Sequence, residues 1–100
     1  MRVHLATNDL LFKAKLRAVA RAANAEIVGE PVPGDLAVVP LDTPDAAETI
    51  RQLVARGVSV LAFGPHVRAD ALRAAREAGA LAVPNSEVEA RLAALLRGSH

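Results

Sequence analysis

The chain has 100 residues, 52% hydrophobic and 23% charged, with a formal net charge of +1. That length holds one domain with a modest core, and the near-balanced charge argues against a dedicated nucleic-acid binder. With no Cys and only two aromatics, both Phe, it excludes disulfides, thiolate metal sites and cysteine nucleophiles, and leaves little on which bases could stack.

The first predicted strand runs from about Val3 to Ala6. Thr7, Asn8 and Asp9 follow, each able to cap a helix. The helix spans about Leu10 to Ala23, with Phe12, Leu16, Val19 and Ala23 on one face and Lys13, Arg17 and Arg21 as an i, i+4, i+8 stripe beside it. A short second strand, about Glu26 to Gly29, leads into Glu30-Pro31-Val32-Pro33-Gly34, which two prolines and a glycine keep from being helical. The third strand, Leu36 to Leu41, is apolar throughout apart from its proline, as expected when helices cover both faces.

Thr43-Pro44-Asp45 reads as a helix start: a capping hydroxyl, a proline at the first position, then an acid at the positive end of the dipole. That helix is expected to bury Ala46, Ile50, Leu53 and Val54 and to stop at Gly57. Val58 to Phe63 forms the fourth strand, broken by Gly64-Pro65. A helix from about Arg68 to Ala78 turns Leu72 and Ala75 inward and ends at Gly79. The fifth strand is about Leu81 to Val83. Ser86 to Glu89 matches the capping box S-x-x-E ahead of a last helix that buries Val88, Leu92, Leu95 and Leu96.

This alternation predicts a single doubly wound α/β sheet of five parallel strands, whose functional loops lie at the carboxyl ends of the strands. One connection is unusual. A parallel crossover normally takes about a dozen residues, yet nothing helical fits between the second and third strands. An extended segment makes the connection instead, and it returns the chain along a short edge strand or leaves that strand frayed or antiparallel. The second strand is then an edge, which Pro31 and Pro33 shield.

The segments Val3-His4-Leu5-Ala6-Thr7-Asn8-Asp9, Asp35-Leu36-Ala37-Val38-Val39-Pro40-Leu41, Val60-Leu61-Ala62-Phe63-Gly64 and Ala78-Gly79-Ala80 resemble the framework of the response-regulator receiver family, a flavodoxin-like fold. The resemblance covers nearly the whole chain, as a domain over residues 1–97, and implies the strand order 2-1-3-4-5, with the family's helix between strands two and three missing here or replaced by an extended segment. It implies an acidic Mg²⁺-binding pair after strand one, a phospho-accepting Asp ending strand three, a Ser or Thr ending strand four and a Lys ending strand five. This chain departs at each place. Thr7 and Asn8 stand at the acidic pair with Asp9 just beyond, Pro40 at the acceptor, Gly64 at the hydroxyl and Asn85 near the lysine. Proline has no nucleophile, so aspartyl phosphorylation by the usual chemistry is not expected. The resemblance also implies partner docking on the first helix and dimerisation through the face of the helix before the fifth strand, the fifth strand and the last helix.

The candidate ligand or anion-binding residues at the carboxyl ends are Thr7, Asn8, Asp9, Asp42, Thr43, His66 and Asn85, with Ser86 nearby. Helix capping explains Asp9, Thr43 and Ser86 without a ligand. His66 reads as a residue near the start of a helix, and His4 as a strand residue. No G-x-G, P-loop, H-E-x-x-H or G-x-S-x-G motif occurs. The stripe Lys13, Arg17 and Arg21 is either a solvated face or a dock for an acidic partner helix. The leading expectation is a non-catalytic, pseudo-receiver-like module of signalling or regulation, with no cofactor and no metal site, acting on a protein partner or on itself as a homodimer. The alternative is a small-molecule, anion or metal binder that uses the carboxyl-end loops. No apolar run is long enough for a membrane span, the start lacks a signal peptide, and a cytoplasmic location is expected. The abundance of Ala and of Arg over Lys fits a GC-rich genome or a thermophile. Gly98-Ser99-His100 reads as a tag remnant.

Overall fold

A computed structural model describes residues 1–98; of the expected tag remnant, Ser99 and His100 lie outside the described residues. The elements are β1 (Arg2–Leu5), α1 (Leu10–Ala22), β2 (Glu26–Ile27), β3 (Leu36–Pro40), α2 (Ala46–Ala55), β4 (Ser59–Gly64), α3 (Ala69–Glu77), β5 (Leu81–Pro84), a 3-10 turn (Asn85–Glu87) and α4 (Val88–Leu96). All pairings are parallel, in the order β2-β1-β3-β4-β5. This is the expected flavodoxin-like, doubly wound sheet.

Two apolar layers sandwich the sheet. Val3 and Leu5 of β1, Leu36 and Val38 of β3, and Leu61 and Phe63 of β4 face Leu16 of α1 and Val88 and Leu92 of α4. Ala37, Val39, Val60 and Ala62, on the opposite face, meet Ile50 and Leu53 of α2 and Leu72 and Ala75 of α3. Side chains alternate along a strand, so a continuous apolar run is what two covered faces require. β1 is different. Its buried residues Val3 and Leu5 alternate with half-buried Arg2 and His4. Those two lie on the side where the crossover helix is missing, and the sequence there is polar to match.

The second crossover is a strap. From Val28 to Asp35 it passes the C-terminal end of α2, where the Arg56 guanidinium donates to the Pro31 carbonyl (3.2 Å) and the Gly34 N–H to the Gly57 carbonyl (2.9 Å). Val32-Pro33-Gly34-Asp35 closes as a turn, with the Asp35 N–H on the Val32 carbonyl at 3.0 Å. Proline second and glycine third, with Gly34 at φ +95°, is the type II pattern. Because β2 has only two residues, the return path is short, and eight extended residues reach roughly 26 Å. The prolines therefore lie beside α2 and not along the outer edge of β2. That edge is limited by its shortness instead.

Local chemistry sets the helix ends. Asp9 caps α1, its Oδ1 accepting from the N–H groups of Leu11 (2.9 Å) and Phe12 (3.1 Å). α1, α2 and α3 end on paired 6→1 and 5→2 hydrogen bonds around a left-handed residue: Asn24, Gly57 and Gly79. Three expectations fail. α2 starts at Ala46, not at Pro44, because the Leu41 N–H still bonds the Phe63 carbonyl and Asp42–Asp45 must first carry the chain off the sheet. The Thr43 hydroxyl therefore makes no cap. Ser86 sits inside the 3-10 turn, so the capping box is not formed. Val54 is 37% exposed and covers Gly79 rather than entering the core.

Candidate functional site

The carboxyl ends of the strands surround a shallow cleft of about 170 Å³ lined by Thr7, Asp9, Phe12, Pro40, Leu41, Asp42, Phe63, Gly64, Pro65 and Asn85. Its floor is apolar. Phe12 of α1 reaches across to Phe63 of β4, with ring centroids 5.1 Å apart. Of the sequence candidates, Thr7, Asp9, Asp42 and Asn85 meet here. Asn8 and His66 are exposed and do not line the cleft, and Thr43 faces a separate small cavity between α2 and α3. His4 is occupied elsewhere, with its Nδ1 3.1 Å from the Val28 carbonyl oxygen.

Thr7 and Asp9, two of the four polar side chains at the cleft, serve the backbone. Thr7 is 3% exposed, and its hydroxyl oxygen accepts from the Asp9 N–H at 3.1 Å. Asp9 spends its carboxylate on α1. Among the described residues no three His, Cys, Asp or Glu side chains converge to hold a metal ion. Asp9, Asp42 and His66 do not form a ligand set, because His66 lies outside the cleft.

Pro40 ends β3 on the cleft floor. Val38 accepts from the Ala6 N–H, so Pro40, two residues on, faces the β1 side where β1 has already ended. The missing N–H therefore costs the sheet no hydrogen bond. At Gly64, an added Cβ would stand 3.2 Å from the Leu41 Cβ. A side chain at this position would press directly on Leu41. Leu41, the residue after β3, lies against the end of β4 there.

The strongest electrostatic feature lies at the opposite end of the sheet and was not singled out from the sequence. Asp35 is 4% exposed. Its Oδ2 accepts from the Val32 N–H at 2.9 Å, and the Arg2 Nε–H reaches both carboxylate oxygens, at 3.0 and 3.2 Å. The Val32 N–H, and then the Arg2 guanidinium, hold its carboxyl below the usual value, against the opposing effect of burial. Asp35 borders a cavity of about 360 Å³ with Met1, Leu36, Ser59, Val60, Ala80, Leu81 and Leu95. The only sequence signal was an acid just after Pro33-Gly34, which by itself reads as turn polarity.

No described helix is long and apolar enough to cross a membrane. Neither a protein-family model nor a curated protein matches the sequence. A solved structure does: the crystal structure of a response regulator receiver protein from Burkholderia phymatum, at 18% identity and a TM-score of 0.72, covering 99% of this chain and 96% of that one. The chain is thus similar to a response-regulator receiver protein in fold, from end to end and across all five strands.

Proposed function

We propose that this chain is a non-catalytic, receiver-like module that works in signalling or regulation through protein contacts and is not phosphorylated on Asp. The observation that carries the reading is the pair Pro40 and Gly64. Proline stands where a receiver's acceptor carboxylate would be, and Gly64, where the hydroxyl would be, has no side chain and lies against Leu41. The framework is kept while the groups for phosphoryl transfer are replaced. At about 170 Å³ the cleft is also smaller than the roughly 300–1,000 Å³ typical of ligand pockets, which counts against a small-molecule site at the carboxyl ends of the strands. The protein partner is met on the first helix, which carries Lys13, Arg17 and Arg21. Self-association is the other form such contact takes.

Incubation with Mg²⁺ and acetyl phosphate, followed by intact mass measurement, tests this. The expected result is no phosphoryl adduct, and no shift of the Thr7–Asp9 or Asp42 amides when Mg²⁺ and beryllofluoride are added. A base-labile gain of one phosphoryl group overturns the reading. Saturable amide shifts around the cleft shift it to an ion- or anion-binding domain of the same fold.

A further inference from the structure

Two cavities away from the cleft share a wall. An open groove of about 450 Å³ follows β5, with Arg76 of α3, Glu87 of the 3-10 turn and Arg91 of α4 on its rim. The cavity of about 360 Å³ that Asp35 borders lies against Met1, Leu36 and Leu95. Ala80 and Leu81 line both. Arg91 and Leu95 stand one turn apart on the same side of α4, about 6 Å along its axis, so this helix leads from the groove into the cavity. Each volume falls within the roughly 300–1,000 Å³ of ligand sites.

The groove is cationic and carries an unused donor. The Ala82 carbonyl holds the Arg76 guanidinium over the strand edge at 2.8 Å, and among the described residues its other donors have no partner. Arg91 makes no ion pair among the described residues, not even with Glu87 four residues before it. The Ser59 N–H bonds the Asp35 carbonyl, and the Phe63 carbonyl accepts from Leu41, so the odd residues of β4 face β3 and its even residues face β5. In a parallel ladder, Leu81 and Val83 are the β5 residues that answer them. Ala82 therefore turns its N–H and carbonyl to the outer edge. Arg76 takes the carbonyl, but among the described residues nothing accepts from the N–H, although Ala82 is buried. A buried backbone N–H without a partner is rare. The adjoining cavity is apolar by contrast. Leu81 and Met1 on its wall are among the few large apolar side chains left exposed, and its one charged neighbour, Asp35, is already engaged by Arg2 and the Val32 N–H.

We infer that the groove and cavity together bind a small organic carboxylate with an apolar tail. The carboxylate meets Arg76, Arg91 and the Ala82 N–H, and the tail crosses Leu81 to lie against Leu36 and Leu95. Guanidinium forks match a planar carboxylate, and two arginines against Glu87 leave one positive charge for a monoanion. A phosphate dianion would exceed that charge and leave the apolar cavity unused. The site is separate from the cleft, and the inference does not depend on the protein-contact reading above.

The test titrates the intact ¹⁵N-labelled protein with sodium butanoate, hexanoate and octanoate. The expected result is saturable amide shifts at Ala80–Val83 and Arg91–Leu95, with affinity rising about fourfold for each added methylene. Octylammonium, the same tail with the opposite charge, should bind at least about tenfold more weakly. Arg91→Ala changes an exposed position. It should keep the dispersed spectrum and lose at least about tenfold in octanoate affinity. Arg73→Ala removes a cation from α3 outside both cavities and should change that affinity by less than about twofold. Four results overturn the inference: no saturable shift, an affinity independent of tail length (an adventitious ion only), equal binding of octylammonium, or an Arg91→Ala protein that binds octanoate like wild type.

Discussion

Asp35 ties three separate parts of the chain together with one carboxylate: β1 through Arg2, the strap through the Val32 N–H, and its own position at the head of β3. Its folded pKa lies below the ordinary value of 3.8, so the unfolded chain binds the proton more readily. The stability it contributes is present above that ordinary value and is lost as pH falls through the folded one. Urea unfolding at neutral pH and near pH 3 should show wild type losing more stability on acidification than Asp35→Asn. Equal losses would mean that another group governs the acid limb. Asp9 is a simpler case. Two amide hydrogen bonds end on its Oδ1, so Asp9→Ala should lower stability by about 1 kcal/mol. Thr43→Ala should cost far less, because that hydroxyl caps nothing, and chemical denaturation of the two variants side by side separates them. Sequence alone ranks Asp9 and Thr43 as equal caps. Only the point at which the chain leaves the sheet distinguishes them, and that point depends on a hydrogen bond from the Leu41 N–H to the carbonyl of Phe63 in β4.

Among the elements, β5 guards its own outer edge. The Ala80 N–H is taken by the Ala75 carbonyl at 3.0 Å, the Ala82 carbonyl accepts from the Arg76 guanidinium at 2.8 Å, and Pro84 has no N–H to offer. A further strand would find little to bond on that side. Arg76→Ala uncovers the Ala82 carbonyl and should raise self-association at high concentration, read by sedimentation, without removing a core contact. An association state unchanged by the substitution would show that the arginine is not what keeps this edge closed. Strand and helix types were legible here from periodicity and from Gly57 and Gly79, whose positive φ values close the helix ends the sequence marked. The strap was legible as non-helical from Pro31, Pro33 and Gly34. Its route was not, because the contacts that steer it, from Arg56 and Gly57, come from an element that follows it in the chain.

At the scale of the molecule, the two cores are unequal in their side chains. The α1/α4 side is built from Leu, Val and Phe, whereas the α2/α3 side relies on many alanines. Truncation should therefore cost most on the first side. Leu16→Ala, at a fully buried position, should lose about 2–5 kcal/mol by denaturant unfolding. Alternating strands and helices made a parallel sheet legible, while its 2-1-3-4-5 order came with the resemblance to receivers, since doubly wound sheets also take other orders. The cleft was legible only in part, since Thr7, Asp9, Asp42 and Asn85 converge while His66, one residue past Pro65, does not. β2 brings a different consequence. Held to β1 by bonds such as Glu26 N–H to Met1 and Val28 N–H to Val3, it is the least anchored strand. Hydrogen exchange at those two amides should proceed by local fraying, well ahead of global unfolding. Each such excursion bares the flank of β1, so one side of the sheet is guarded by fixed side-chain and helix-end contacts and the other only while two residues stay in place.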